Sequence, residues 1–457
     1  MSDRRRGPIL AVCCMSLLIV GLDNTIVNVA LPSIRREFDA TVADLQWTID
    51  AYTVVLASLL ILSGSTADRL GRRRTFQVGL VLFTGGSFLC GLAPGLGWLV
   101  AARIVQAVGG SMLNPVAMSI ITNTFTEPRE RARAIGVWSG VVGISMALGP
   151  VVGGLLVGTV GWRAIFWINI PVGLAAVVLT AVFVPESRAP RPRRPDLVGQ
   201  ALVITLLGSV TFAIIEGPTA GWGSPPILGL GTLAVAALAA LLYYEPRRVD
   251  PLLELRFFRS APFSGATLIA VSSFAALGGF LFLNTLYLQD VRGLSAAHAG
   301  LAVLPMAVMV LVFGPLTGRL VGHRGPRLPL LVAGAAFAVS GLMMLPVTVA
   351  TPLGWLIAAY AVFGFGFAVV NPPITQTAVS GMPRAQAGVA AAIASTSRQV
   401  GQSLGVAVAG ALAASALASG AGSDAFPWWL IVGYGLAVLA VTLLTTGPGL
   451  VRPEPAP

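Results

Sequence analysis

The 457-residue chain contains no lysine; every one of its 29 basic residues is arginine. A phosphate-binding loop of the Gly-x-x-x-x-Gly-Lys-Ser/Thr kind is therefore excluded, which argues against ATP as an energy source. Charge is scarce, at 10% of residues against a hydrophobic share of 56%. Soluble domains carry about a quarter charged residues, so this chain cannot clothe a water-facing surface of its own size. Cysteine is limited to Cys13, Cys14 and Cys90, all inside apolar blocks. No zinc-ligand spacing links them, and adjacent Cys13–Cys14 are poorly placed to pair, so they read as small apolar residues. No catalytic pair or metal cluster stands out. An enzyme is not expected, and neither is a cofactor.

What the chain has instead is apolar residues in blocks of about 20, long enough to cross a hydrocarbon core of roughly 30 Å. Mean hydropathy is +0.85. Reading blocks between charged or Pro/Gly-rich breaks predicts an all-α polytopic membrane protein with fourteen spans. Six lie near 9–32, 47–66, 75–93, 97–122, 133–158 and 163–184, and a pair near 197–216 and 227–244. Six more lie near 263–289, 299–321, 328–347, 355–378, 388–417 and 427–447. The expected organisation is a six-helix bundle over 1–190, two extra helices with cytoplasmic flanking linkers over 191–255, and a second six-helix bundle over 256–457. The extra pair reads as peripheral to the chain's main task.

A net charge of +11 would suggest nucleic acid on a soluble protein. Here the arginines occupy short loops, which favours a topology signal and no nucleic-acid partner. With the N-terminus in the cytoplasm, 23 of the 29 fall on that side, as the positive-inside rule requires. The inner groups include Arg4–Arg6, Arg69 with Arg72–Arg74, Arg129/Arg131/Arg133, Arg191/Arg193/Arg194 and Arg384. Arg35, Arg36, Arg163 and Arg292 fall outside, and Arg103 and Arg398 lie within spans. The first apolar run contains Asp23 and lacks a convincing cleavage site, so it reads as a retained span. An even span count puts both termini in the cytoplasm of a bacterial cell, in its cytoplasmic membrane.

Gly64-x-x-x-Asp68-Arg69-x-Gly71-Arg72-Arg73 follows span 2, and Gly314-x-x-x-Gly318-Arg319 ends span 10 as a weak internal repeat. Span 1 reads Leu22-Asp23-Asn24-Thr25-Ile26-Val27-Asn28-Val29-Ala30-Leu31-Pro32, and Trp162-Arg163-x-Ile165-Phe166-x-Ile168-Asn169-x-Pro171 opens span 6. These motifs, in this order over essentially the whole chain, resemble the major facilitator superfamily and its fourteen-span drug:proton antiporters. The resemblance implies two six-helix bundles plus two extra helices, acting as a proton-coupled exporter of small lipophilic compounds by alternating access.

A carboxylate inside an apolar span is costly and usually serves function, which singles out Asp23. At about 1.5 Å of rise per residue, Asp23, Asp50 and Arg103 sit at similar depth, roughly 9 to 13 Å inside the outer ends of their spans. A guanidinium near two acids favours their charged forms, so its approach or withdrawal can time proton release. The alternative is a static buried ion pair. Arg103-Ile-Val-Gln106-Ala107-Val-Gly109-Gly110 resembles the family's span-4 motif linked to proton transfer, with Ala107 where Gly is common.

Span 5 carries Gly143, and then Ser145-x-x-x-Gly149-Pro150-x-x-Gly153-Gly154, which resembles the superfamily's antiporter motif with Ser at its first position. Small residues there allow tight packing, expected against span 10, and Pro150 removes a helix hydrogen bond. By resemblance, Gly64, Asp68, Arg69, Gly71, Arg72 and Arg73 form a cytoplasmic gate in which Asp68 latches near the start of span 13. The alternative is that these arginines only set topology. Asn28, Asn114, Asn284, Asn371, Gln376 and Arg398 are candidates to line a substrate cavity, or equally to bond between helices. The expected partners are a small-molecule substrate, protons and membrane lipid, with the chain a monomer. A proton-coupled importer and a non-transporting membrane sensor remain as other readings. The last six spans hold no acid in their interiors, which by resemblance disfavours divalent organic cations as substrates.

Overall fold

A computed structural model describes residues 6–189, 195–379, 387–418 and 427–446, and every regular element among them is helical. In chain order the helices are α1 (Arg6–Phe38), α2 (Val42–Leu70), α3 (Arg72–Gly91), α4 (Leu96–Thr124), α5 (Pro128–Thr159), α6 (Ala164–Trp167) and α7 (Asn169–Phe183). There follow α8 (Leu197–Ala220), α9 (Pro225–Tyr244), α10 (Ala261–Leu286), α11 (Ala296–Ala302) and α12 (Leu304–Arg324). The last four are α13 (Arg327–Met344), α14 (Leu353–Val379), α15 (Ala387–Ala418) and α16 (Trp429–Thr445). Arg4, Arg5, Arg191, Arg193, Arg194 and Arg384 lie outside the described residues.

In hydrocarbon every backbone polar group must find its partner within the chain, and a helix does this segment by segment. Local chemistry sets the ends. Thr41 and Asp44 form a reciprocal capping box at the start of α2, with Asp44 N–H to Thr41 Oγ1 at 3.2 Å and Thr41 N–H to Asp44 Oδ2 at 2.9 Å. Gly71, at φ +116°, separates α2 from α3, a conformation that suits only a residue without Cβ. Pro128 and Pro225 open α5 and α9, where a missing N–H costs nothing.

Helices occupy all fourteen expected intervals, with the sixth broken between α6 and α7 and the tenth between α11 and α12. Among the described residues, ten helical segments are long and apolar enough to cross a membrane. Leu148–Thr159, the last part of the 32-residue α5, and the 17-residue Trp429–Thr445 are shorter apolar stretches. Polar residues lower the hydropathy of α3, which opens on Arg72–Arg74, and of α15, which carries Arg398 among Ser and Gln residues.

The chain divides into two compact units: residues 1–204 with 294–301, and residues 205–293 with 302–457. In the first, α1 packs on α5, while α2 and α3 both pack on α4. In the second, α10 packs on α15 and α16, α13 on α14 and α16, and α12 on α14. Phe280 of α10 and Phe363 of α14 stack at 4.0 Å between centroids inside that second unit.

Candidate functional site

The first unit encloses a cluster of buried polar groups, and glycine decides where it forms. A Cβ added at Gly86 of α3 would lie 2.6 Å from the Gln106 backbone nitrogen, and one at Gly109 of α4 would lie 2.2 Å from that of Phe83. Both distances are far inside van der Waals contact, so α3 and α4 meet backbone to backbone. The same device joins α5 to α1: at Gly149 a Cβ would fall 1.9 Å from Thr25 Oγ1, and at Gly153 2.7 Å from Ile26 Cγ1. Gly21 of α1 makes room for Ser145, whose Oγ would be 2.1 Å from an added Cβ. Serine at the first position of the span-5 motif is thus matched by a glycine on the partner helix.

Between these packed pairs Asp23 and Arg103 are 0% and 1% exposed and form a direct ion pair through Asp23 Oδ2. The other carboxylate oxygen, Oδ1, accepts from Gln106 Nε2 at 2.9 Å and Asn169 Nδ2 at 3.3 Å. Arg103 also donates to Gln106 Oε1 at 2.8 Å and to the Thr48 carbonyl at 3.2 Å. Its guanidinium lies 4.1 Å from the Tyr52 ring centroid. A buried charge pair repays its desolvation only with further hydrogen bonds to both partners, and here Gln106 bonds to both, with Asn169 on Asp23 and Thr48 on Arg103.

Asn169 opens α7, and Ser87 of α3 holds that helix start by donating to the Phe166 carbonyl at 2.8 Å. Further out, Arg163 donates to both Glu37 carboxylate oxygens at 2.7 and 2.9 Å, and Trp162 donates to one of them at 2.6 Å. The Trp162-to-Pro171 motif therefore fastens the α6–α7 segment to the end of α1 and delivers Asn169 to Asp23.

Of the three expected charges, Asp23 and Arg103 meet directly. Asp50 is also buried, and its Oδ1 accepts from Thr53 at 3.1 Å on its own helix. The direct contribution of α2 to Arg103 comes from Thr48 and Tyr52. Gln106 and Asn169 complete the site beyond the three expected charges. Gln106 was legible in retrospect, lying one turn from Arg103 on the same face; the reach of Asn169 from another helix was not.

The Asp68 loop is tied down within its own unit. Arg72 bridges to Asp68 at 2.8 Å, one turn away. Glu186, just after α7, accepts from the backbone N–H groups of Arg73 and Arg74 at 3.1 and 3.3 Å. Gly71 has a second reason to be glycine, because a Cβ there would lie 2.4 Å from Glu186 Oε1. Arg73 reaches the Ala181 carbonyl, and the Asp68 carbonyl accepts from the Ala189 N–H at 3.1 Å. Gly64 and Arg69 lie in the last two turns of α2. Glu186 is the one acid between Glu130 and Asp196, a signal that sequence reading passed over.

The rest of the span-5 motif faces residues 294–301. A Cβ at Gly154 would lie 2.5 Å from the Ala296 carbonyl oxygen, and one at Gly300 would lie 2.2 Å from that of Pro150. Gly143 is in α5, with its surroundings outside the described residues. Among the cavity candidates, Asn28 and Asn284 donate to carbonyls of their own helices. Asn114 and Asn371 are half-buried, and Gln376 is exposed. Arg398 donates to Thr375 Oγ1 and lies 5.9 Å from the Phe274 ring centroid. A residue not anticipated is Gln200, which fixes α8 to α2 by donating to the Ser58 carbonyl at 2.7 Å.

Long apolar helices enclosing a buried, hydrogen-bonded charge pair define a multi-pass membrane protein of the transporter class. The chain belongs to the Major Facilitator Superfamily, whose sequence profile matches residues 13–406; it is a transporter and not an enzyme. It is 37% identical over 405 residues to multidrug resistance protein Stp of Mycobacterium tuberculosis, covering 89% of this chain and 75% of that protein. It is 38% identical to the tetracenomycin C resistance and export protein of Streptomyces glaucescens, covering 93% and 78%. Solved structures show the same fold at low identity. A POT family transporter in complex with a thioalcohol-conjugated peptide superposes with a TM-score of 0.72 at 15% identity, covering 98% of this chain and 97% of that one. A bacterial homolog of the human lysosomal transporter Spinster, inward-facing and occupied, gives 0.70 at 16%, covering 100% of both.

Proposed function

We propose that the protein is a proton-coupled antiporter that exports small lipophilic organic compounds across the bacterial cytoplasmic membrane by alternating access. The observation that carries this reading is the Asp23–Arg103 pair, sealed from solvent and bonded to Gln106 and Asn169. An ionisable group held inside the membrane at such cost is best explained by a proton path. The names of the relatives, multidrug resistance and tetracenomycin C export, support drug-like cargo and the outward direction. Tight glycine packing of α5 on α1 supports a helix pair that excludes water from the proton site.

In this reading fourteen spans place both termini in the cytoplasm, and the chain works as a monomer with the proton gradient as its energy source. A proton reaches Asp23 from outside and loosens its hold on Arg103. The unit then favours opening inward, cargo enters from the cytoplasm or inner leaflet, and proton loss inward resets the cycle. Asp50 tunes the pair from α2. The Asp68–Arg72 loop acts as the cytoplasmic latch, and Asn28, Asn114, Asn284, Asn371, Gln376 and Arg398 are offered as cavity residues. Cells producing the intact chain should lose a lipophilic dye and tolerate toxic compounds better than cells producing Asp23→Asn at equal membrane abundance. Equal efflux and equal tolerance would remove Asp23 from the mechanism.

A further inference from the structure

Every acceptor and donor around the Asp23 carboxylate has a fixed role except one. Arg103 holds Oδ2. Gln106 is locked as a donor to Oδ1, because its own carbonyl oxygen accepts from Arg103 at 2.8 Å and from the Cys90 thiol at 3.7 Å. Asn169 differs. Its Nδ2 lies between two acceptors, Asp23 Oδ1 at 3.3 Å and Ser87 Oγ at 3.1 Å. Ser87 has already given its proton to the Phe166 carbonyl, so it accepts here. The amide oxygen of Asn169 is buried and makes no hydrogen bond, although the side chain is only 1% exposed. Buried amide oxygens are rarely left this way.

A carboxylate needs donors, whereas a protonated carboxyl needs an acceptor for its new O–H. We propose that Asn169 is a two-way hydrogen-bond switch that reads the charge of Asp23: its N–H₂ serves the carboxylate, and its C=O, turned over, serves the acid. The step is a proton transfer from hydronium to Asp23 Oδ1: one O–H bond breaks on the hydronium, which leaves as water, and one O–H bond forms on the carboxyl. A half-turn about the Asn169 Cβ–Cγ bond then brings the idle Oδ1 onto the new O–H. Ser87 can follow by turning its single proton from the Phe166 carbonyl to that same oxygen. Since Phe166 lies just before the junction of α6 and α7 and Asn169 just after it, the switch alters a hydrogen bond at that junction.

The titratable groups facing Asp23 from the packed helices are Tyr52 of α2, Cys90 of α3 and Arg103 of α4. Asp50 stands two residues before Tyr52 on α2. The stretch of α5 beyond Trp138 has no titratable side chain, nor has any residue of α6 or α7. Of the two amides bonded to Asp23 among the described residues, Gln106 has its oxygen occupied and Asn169 has its oxygen free to turn.

This inference rests on Asp23 taking up a proton, and infrared difference spectra of the full chain in nanodiscs, acidic minus alkaline, separate the two claims. The wild type should gain a protonated carboxyl C=O band that Asp23→Asn lacks. In Asn169→Leu the band should persist at higher wavenumber, because the O–H has lost its acceptor, and the pH profile of efflux should shift. Asn169→Ser, whose hydroxyl can donate or accept, should return both toward wild type. Should Asn169→Leu fail to fold, wild-type protein with isotope-labelled asparagine gives the same answer, through a label-sensitive amide C=O shift on acidification. A carboxyl band unmoved in Asn169→Leu, or no asparagine shift, overturns the switch while leaving Asp23 as the proton site. No Asp23-dependent band at all overturns both.

Discussion

Replacing Arg103 by Leu removes one partner of a fully buried ion pair and leaves the Asp23 carboxylate with only the Gln106 and Asn169 amides as donors. Breaking such a pair from one side costs about 3–5 kcal/mol, because an uncompensated charge stays behind. Asp23→Leu strands the guanidinium, which keeps the Thr48 carbonyl, Gln106 Oε1 and the Tyr52 face, so its cost falls near the lower end, about 3 kcal/mol. The double substitution removes both charges and orphans chiefly the Gln106 amide, at about 1–3 kcal/mol. The singles together therefore exceed the double by about 3–7 kcal/mol, a coupling far above the ~0.5 kcal/mol scatter of independent sites. Unfolding free energies from SDS titration in mixed micelles measure all three variants on one scale. Losses that add within that scatter would refute the claim that each charge is held by the other.

Three further outcomes follow from the packing. Gly149→Ala drives a methyl to 1.9 Å from Thr25 Oγ1 and should cost about 1–3 kcal/mol by overpacking, with Thr25→Gly in the same chain restoring most of it in the same titration. Glu186→Ala removes the acceptor at the start of α3; discounted for partial exposure, about 1 kcal/mol is lost. Its clearest sign is faster hydrogen exchange at the Arg73 and Arg74 amides, with Glu186→Gln in between. Gln200→Leu leaves the Ser58 carbonyl without its side-chain donor and should loosen the first turns of α8 by about 1 kcal/mol, seen as faster exchange there while dye efflux persists.

Helix existence was legible in the sequence, because continuous apolar blocks of about 20 residues fit a spanning helix, which satisfies its backbone within one segment. The fourteen intervals all fall on helices for that reason. The apolar pattern is interrupted in α3, which opens on Arg72–Arg74, and in α15, where Arg398 lies among Ser and Gln residues. For the site, composition picked out Asp23 and Arg103, since any charge in an apolar block is conspicuous. Asn169, Ser87 and Glu186 were not assigned, because which polar side chains converge depends on helix rotation and separation. Those are set by close contacts at Gly86, Gly109, Gly149 and Gly21, which no periodicity reveals. Breaks between α6 and α7 and between α11 and α12 were hidden too, inside runs that read as continuous apolar spans.

Proteoliposomes holding the purified chain and a fluorescent lipophilic substrate test whether Asp23 couples a proton gradient to export. An imposed pH gradient should drive substrate against its concentration gradient, with protons moving the opposite way. Asp23→Asn should abolish both fluxes while keeping the wild-type elution profile and helix content. Undiminished pH-driven transport by folded Asp23→Asn protein would contradict the account.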